Sequence, residues 1–414
     1  MSSPFAALGL SPALVRAVAE RGYDRPTPIQ VATIPAALQG RDLVGCAHTG
    51  SGKTAAFALA LLQRLDNGPR PARRRTDALV LVPTRELAVQ VGETIGALAR
   101  HLAAPLKVAV VFGGVAINPQ MLALRGGAEV IVATPGRLLD LAERHALGLG
   151  DVGLLVLDEA DRLLDEGFAD EFARVTALLP ARRQSLFFSA TFPSAVQALA
   201  AALLREPLRI DVAAGPGAGV PDIEQRAVEV DAAQRTPLLR HLIAQGRWQR
   251  VLVFVATRYA SEHVAEKLRR AGLSAAALHG ELSQGARQRV LADLNSSALR
   301  VVLATDLAAR GLHVPGLPVV VNYDLPRSAV DYLHRIGRTA RAGANGLAVS
   351  FVSTATEAHF RLIEKRQGRR VPRERIAGFE PRESALPASP PEGGVKGRRK
   401  SRKDKLREAA ARGD

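Results

Sequence analysis

Three carboxylates within four residues, Asp158, Glu159 and Asp161, close the apolar run Leu154-Leu155-Val156-Leu157. Such a run reads as a strand buried on both faces, of the kind found at the centre of a parallel sheet. In an open α/β sheet ligands bind at the carboxyl ends of the strands, where carboxylates can hold a hydrated Mg2+ and orient a water. Alone, the pattern equally suits an acidic helix start, where Asp and Glu complement the helix dipole. A second cluster decides between the two. Ala47-His48-Thr49-Gly50-Ser51-Gly52-Lys53-Thr54 follows the short apolar run Leu43-Val44 and opens a helical stretch through Phe57 to Leu62. Glycines let backbone N–H groups close around a phosphate at a helix N-terminus. Lys53 can reach the β- and γ-phosphates, and the Thr54 hydroxyl can ligate Mg2+. With Asp158 as the other metal ligand and Glu159 as general base or water-positioning residue, the expected chemistry is hydrolysis of a nucleoside triphosphate.

These groups need a scaffold that ends several strands on one edge. From about residue 41 to 210, short apolar runs alternate with helical stretches: Leu43-Val44, Ala78 to Val82, Val108 to Phe112, Val130 to Val132, Leu154 to Leu157 and Ser185 to Phe188. That rhythm predicts a parallel sheet with helices on both faces. Residues 211–222 are rich in Gly, Pro and Ala and read as an interdomain linker. A second α/β series follows, with runs at Val228 to Val230, Arg250 to Val255, Ala275 to Leu278, Arg300 to Ala304, Val319 to Val321 and Leu347 to Val352. The division expected is therefore 1–210, a linker at 211–222, 223–368, and a disordered basic tail over 369–414.

Composition narrows the partner. The 414 residues carry a formal charge of +16, with 48 Arg against 8 Lys, a balance that suits a polyanion, nucleic acid before anionic membrane. Cys46 is the sole cysteine, which excludes an internal disulfide and a cysteine-based zinc site and fits a reducing cytoplasm. No apolar run approaches the ~18 residues a membrane span needs, so a soluble cytoplasmic protein is expected.

Taken with Asp158-Glu159-Ala160-Asp161, these motifs resemble those of the DEAD-box ATP-dependent RNA helicases of superfamily 2, bacterial type, over residues 3–368. The resemblance implies two tandem RecA-like domains, one ATP·Mg2+ site between them, and single-stranded RNA bound across both. It implies that Gln30 reads the adenine edge and Phe5 stacks on the ring; a planar amide can indeed pair bidentately with adenine. Arg338 and Arg341, in His334-Arg335-Ile336-Gly337-Arg338-Thr339-Ala340-Arg341, would act as arginine fingers on the γ-phosphate. Ser189-Ala190-Thr191 would link Asp161 to His334 and couple hydrolysis to strand separation.

The same resemblance marks an RNA track. In the first unit it comprises Thr84 and Arg85, Gly113 and Gly114, and Thr134-Pro135-Gly136-Arg137, each following an apolar strand. In the second it comprises Arg258, Gln284 with Arg287, and Thr305 with Asp306. Small residues, hydroxyls and isolated arginines suit a phosphodiester backbone better than base edges, so little sequence specificity is expected. One departure stands out: His313 occupies the place of an aspartate that normally contacts the nucleotide's ribose, predicting a weaker or pH-dependent ATP grip. The activity expected is local unwinding of short RNA duplexes or remodelling of RNA–protein complexes by a monomer, with ribonucleoprotein or RNA-decay partners. An ATP-gated RNA clamp with little turnover and a translocating DNA helicase are the alternatives.

Overall fold

The structure is a computed structural model, and it describes residues 3–47, 50–68, 73–165, 168–212, 223–309, 317–339 and 346–382. Two seven-stranded sheets, parallel throughout, follow one another along the chain. The first contains β1 (Leu43–Cys46), β2 (Ala78–Leu81), β3 (Val108–Val111), β4 (Val130–Ala133), β5 (Leu154–Leu157), β6 (Gln184–Ser189) and β7 (Leu208–Asp211). The second contains β8 (Ile223–Glu229), β9 (Val251–Phe254), β10 (Ala275–Leu278), β11 (Val301–Ala304), β12 (Val319–Asn322), β13 (Gly346–Val352) and β14 (Arg373–Glu374).

The strand orders are β3-β4-β2-β5-β6-β1-β7 and β10-β11-β9-β12-β13-β8-β14. Each strand of the second sheet thus holds the place of the strand seven before it in the first. The central strands are continuous apolar stretches because helices cover both faces, and in β2, β4, β5, β9 and β11 every residue is buried. Two core clusters flank the first sheet, one around Phe57 and Phe188, the other around Leu155 and Phe187. Since all strands of a sheet run the same way, the loops carrying the predicted chemistry share one edge. Among the described residues no helix is long and apolar enough to cross a membrane.

Two strands lie outside the expected runs. β7 is an edge strand whose burial alternates, and β14 is only two residues long, so neither has the apolar run of a central strand. The second domain also continues past residue 368. Arg373 pairs with Glu357 and Glu364 and lies 4.7 Å over the Phe360 ring, Arg226 holds Glu374, and Ile376 and Phe379 pack against the core. Residues 369–382 therefore close the second sheet and do not begin a tail. Linker residues 213–222 and the tail from 383 lie outside the described residues.

Candidate active site

Gly50 and Gly52 adopt φ of +87° and +93°, left-handed backbone that lets the loop after β1 turn tightly into the helix Lys53–Asn67. His48 and Thr49 of that loop lie outside the described residues, as do His313 and Arg341. A Cβ on Gly52 would come within 2.6 Å of the Gln30 amide nitrogen, so this glycine is also required by close approach. Gln30 forms a capping box with Thr27: its Oε1 accepts the Thr27 N–H at 2.9 Å, while its Nε2 donates to the Gly52 carbonyl at 3.2 Å. One lone pair and one N–H of the amide stay free of those two bonds, the pair an adenine edge needs. Phe5 does not fit its expected place. It is fully buried in the first domain's core and has no face to offer an adenine ring; its role is packing.

Lys53 begins its helix buried, donating to the Ala47 carbonyl. Burial pushes its ammonium pKa down, opposed by Asp158, Glu159 and Asp161. Thr54 stands beside it in the same first turn. Asp158 is buried at the end of β5, where desolvation, with Glu159 adding to it, pushes its carboxyl up to about 7. Its Oδ1 accepts the Glu159 N–H at 3.0 Å. Glu159 itself adopts φ of +54°, and its carboxylate lies 3.2 Å from Arg162. Asp161 is fully engaged: Oδ2 accepts the Thr191 N–H at 3.0 Å and hydroxyl at 2.6 Å, Oδ1 accepts the Arg162 N–H, and its own N–H donates to Ser189 Oγ. The link between Asp161, Ser189 and Thr191 is thus a set of direct hydrogen bonds.

The second domain meets this cluster with the helix Ala329–Ile336 and the turn after it. His334 sits among Arg162, Asp161, Arg338 and Lys53, and its pKa falls to about 3; burial is the main cause, Arg162 the next, with Asp161 opposing. Arg338 is buried in the same turn. Arg335, which the sequence reading left aside, organises that element: it clasps Asp306 bidentately at 2.6 and 2.7 Å, donates to Asn322 Oδ1 and the Asp324 carbonyl, and lies 4.9 Å over Phe254. Asp306 is therefore committed to an ion pair with the buried Arg335.

Along the RNA track, the Thr84 hydroxyl caps the helix Arg85–Ala99. The Arg85 guanidinium covers Gly114 so closely that a Cβ there would lie 2.0 Å from its Nη2. The Gly113 N–H donates to Thr134 Oγ1 at 3.4 Å, so the loops after β2, β3 and β4 form one surface. Pro135 and Gly136 begin the helix Pro135–Glu143, and Arg137 is buried with Nη2 on the Val115 carbonyl at 2.8 Å. In the second domain Arg258 is half exposed and pairs with Glu281, Gln284 opens the helix Gln284–Asn295, and Thr305 follows β11. Arg287 departs from expectation. It is buried, with Nη2 2.7 Å from Glu86 Oε1 of the first domain. It bridges the domains and offers no surface to RNA; Glu86, its partner, was not singled out by the sequence.

Residues 27–199 match the DEAD/DEAH box helicase family and residues 234–343 the helicase conserved C-terminal domain. The ATP-dependent RNA helicase DeaD of Mycobacterium tuberculosis is 43% identical over 364 residues, 88% of this chain and 63% of that protein. The chain belongs to the DEAD-box helicase family. It spans somewhat less than two thirds of the mycobacterial relative's length, and 69% of the DEAD-box ATP-dependent RNA helicase CshA of Bacillus cereus, which is 38% identical over 89% of this chain. Among solved structures, Saccharomyces cerevisiae Dbp5 bound to RNA and ADP BeF3 aligns with TM-score 0.80 and 31% identity, over 91% of this chain and 96% of that one. A DEAD box protein from Methanococcus jannaschii, 36% identical over 90% and 99% of the two chains, reaches only 0.52. The chain as a whole is thus more similar in structure to the RNA- and nucleotide-bound Dbp5 than to the Methanococcus protein.

Proposed function

We propose that this DEAD-box protein is an ATP-dependent RNA helicase that unwinds short duplexes locally or remodels RNA–protein complexes, hydrolysing ATP between its two domains. The observation that carries the reading is the interdomain cluster. His334 of the second domain is buried against Lys53, Asp161 and Arg162 of the first, with Arg338 buried beside it, so groups for phosphoryl transfer are assembled only when the domains meet. Lys53 would hold the terminal phosphates and Glu159 would orient the attacking water. Arg338, with Arg341, would offset charge on the leaving phosphate. Gln30 would select adenine while tethering the loop through Gly52.

Thr54 and Asp158 would hold Mg2+. They are hard oxygen donors, and Asp158 uses Oδ1 within the protein, which leaves Oδ2 for a hydrated cation. When bound, the metal would offset phosphate charge. RNA would run over the joined loops of Thr84, Arg85, Gly113, Gly114 and Thr134, gripped by its backbone and therefore read with little sequence preference. Bacterial relatives and the single cysteine support a cytoplasmic setting.

Steady-state ATP hydrolysis with and without single-stranded RNA, with Glu159→Gln as control, tests the reading. RNA-specific stimulation that vanishes in the variant is expected. ATP-dependent RNA binding with little turnover in the unmodified protein would replace the helicase by a clamp.

A further inference from the structure

At the opposite edge of the first sheet, beyond the amino ends of β1, β5 and β6, a cavity of about 560 Å3 is lined by Arg41, Arg64, Arg182, Arg183 and Arg205. Some surface arginines elsewhere in this domain pair with carboxylates, Arg74 with Glu129, Arg75 with Asp77, Arg174 with Glu143 and Arg209 with Asp211, while others, Arg16, Arg100 and Arg144 among them, form no ion pair among the described residues. Among the described residues, none of the five around the cavity forms an ion pair with a carboxylate. Asp42, which lies among them, spends its two oxygens on the backbone N–H groups of Ser185 and Arg205, both at 2.8 Å, and Glu206 is the one other acid in the lining.

Three of the guanidinium groups are fixed in place by neutral acceptors. Arg64 donates to Gln184 Oε1 at 2.6 Å and to the Gly153 carbonyl at 3.1 Å, Arg183 to the Pro180 carbonyl at 2.7 Å, and Arg205 to the Ala181 carbonyl. The Nε of Arg183 is buried and has no hydrogen-bond partner among the described residues. Burial pushes the Arg183 pKa down, and Arg205 beside it adds to the effect against Asp42. Five guanidinium groups face two carboxylates, Asp42 and Glu206, in the lining, an excess of positive charge that an added anion would offset. A second cavity of about 640 Å3 shares Gly40 and Arg64 with the first and is lined by Pro35, Leu38, Gln39 and Asn67, an apolar and amide-bearing wall.

We infer that this arginine-lined cavity is a binding site for a small polyphosphate anion, two or more adjacent phosphates, with room alongside for a nucleoside-sized group. Arginine forks suit phosphate oxygens bidentately, and forks already held by carbonyls lose little freedom on binding. The place of the cavity across the sheet from the RNA track favours a compact free anion over a polynucleotide. The site is separate from the phosphate loop, since it lies at the other end of the same strands.

Tripolyphosphate is the probe, titrated calorimetrically into the full chain with its phosphate loop filled by saturating ADP and Mg2+. One bound anion per chain is expected, weakening with added salt. R41E/R182E should weaken it more than about tenfold, since it replaces two charge-assisted contacts with repulsion, while ATP hydrolysis without the probe stays unchanged. Arg182 is exposed and makes no hydrogen bond or ion pair with another described side chain, so R182A should fold normally and weaken binding severalfold. Undiminished affinity in these variants, no binding to the ADP-filled protein, or displacement of the probe by single-stranded RNA would each overturn the inference.

Discussion

The two sheets have the same strand order, so their strand ends can be compared one by one. After β2 and after its counterpart β9 the chain is Thr-Arg, and both threonines cap the following helix: Thr84 accepts from the Leu87 N–H at 3.3 Å and Thr257 from the Ala260 N–H at 3.0 Å. After β1 and β8 the next α-helix opens on a cation, Lys53 or Arg235, and after β5 and β12 a carboxylate follows, Asp158 or Asp324. What differs is the connection. The loop before Lys53 carries two glycines in left-handed backbone, whereas Val230 to Gln234 carries none. In the second domain Arg235 therefore closes onto Asp324 at 2.8 Å and lies 5.9 Å over Tyr323. On the proposed function, the same cation and carboxylate make a structural ion pair in one copy and would make a phosphate and metal site in the other. The glycine loop before Lys53 is the difference in sequence between the two copies. On the proposed function, the second domain would contribute to catalysis through a later element, the turn after the helix Ala329–Ile336 and its Arg338.

Experiments can press on that contrast. Arg338→Ala should lower RNA-stimulated kcat by about 10³ or more, the usual worth of an arginine finger, with ATP affinity measured without RNA little changed. A loss of only a few fold would mean the second domain's arginine is not serving the nucleotide. Arg287→Ala should reduce the closed population, read by interdomain fluorescence transfer with RNA and a non-hydrolysable ATP analogue, by about 10- to 100-fold, because it leaves Glu86 buried without its partner. The exchange E86R/R287E should restore part of it, and failure to do so would reduce this pair to a bystander. Arg235→Ala should cost the second domain ~1–3 kcal/mol in denaturant unfolding yet leave nucleotide affinity unaltered, as befits a structural pair; a weakened ATP site would contradict the comparison.

The smallest effect concerns pH. His334 titrates near 6.5 when exposed and near 3 when buried against Arg162, Asp161, Arg338 and Lys53, so the closed arrangement disfavours its protonated form. Its contribution to closure is fully present above about pH 6.5 and is lost progressively as pH falls toward 3. Interdomain fluorescence transfer between pH 7.5 and 5.5 should show up to about a tenfold decline attributable to this group, and H334Q should abolish that component. An identical pH profile in the variant would assign the decline to another group.

Much of this was legible in the sequence because parallel strands covered on both faces must be apolar throughout, and because a glycine-rich loop ending in Lys53-Thr54 has few structural uses. The central strands and the loops on their carboxyl edge follow from those two rules. Edge strands escape them: β7 is half exposed and β14 is held by ion pairs of Arg226 and Arg373, which leave no periodic signal. Phe5 and Arg287 went astray for a shared reason. A motif specifies a residue type and a spacing, but not whether the side chain turns toward a ligand, into the core or across to the other domain. Glu86 could have been suspected only as a carboxylate beside Arg85 in a loop expected to meet RNA phosphates, where a negative charge needs a cation of its own.

Glu159 is the one described residue of the carboxylate loop with left-handed backbone, at φ of +54°. An L-residue with a branched or long side chain bears about 1–2 kcal/mol there, and asparagine or glycine bears less. The position is thus a point where thermal tolerance and turnover are set against each other. Selection for a hardier protein alone would drift toward Asn or Gly at 159, and such a variant should unfold no more easily than its parent while having lost its chemistry.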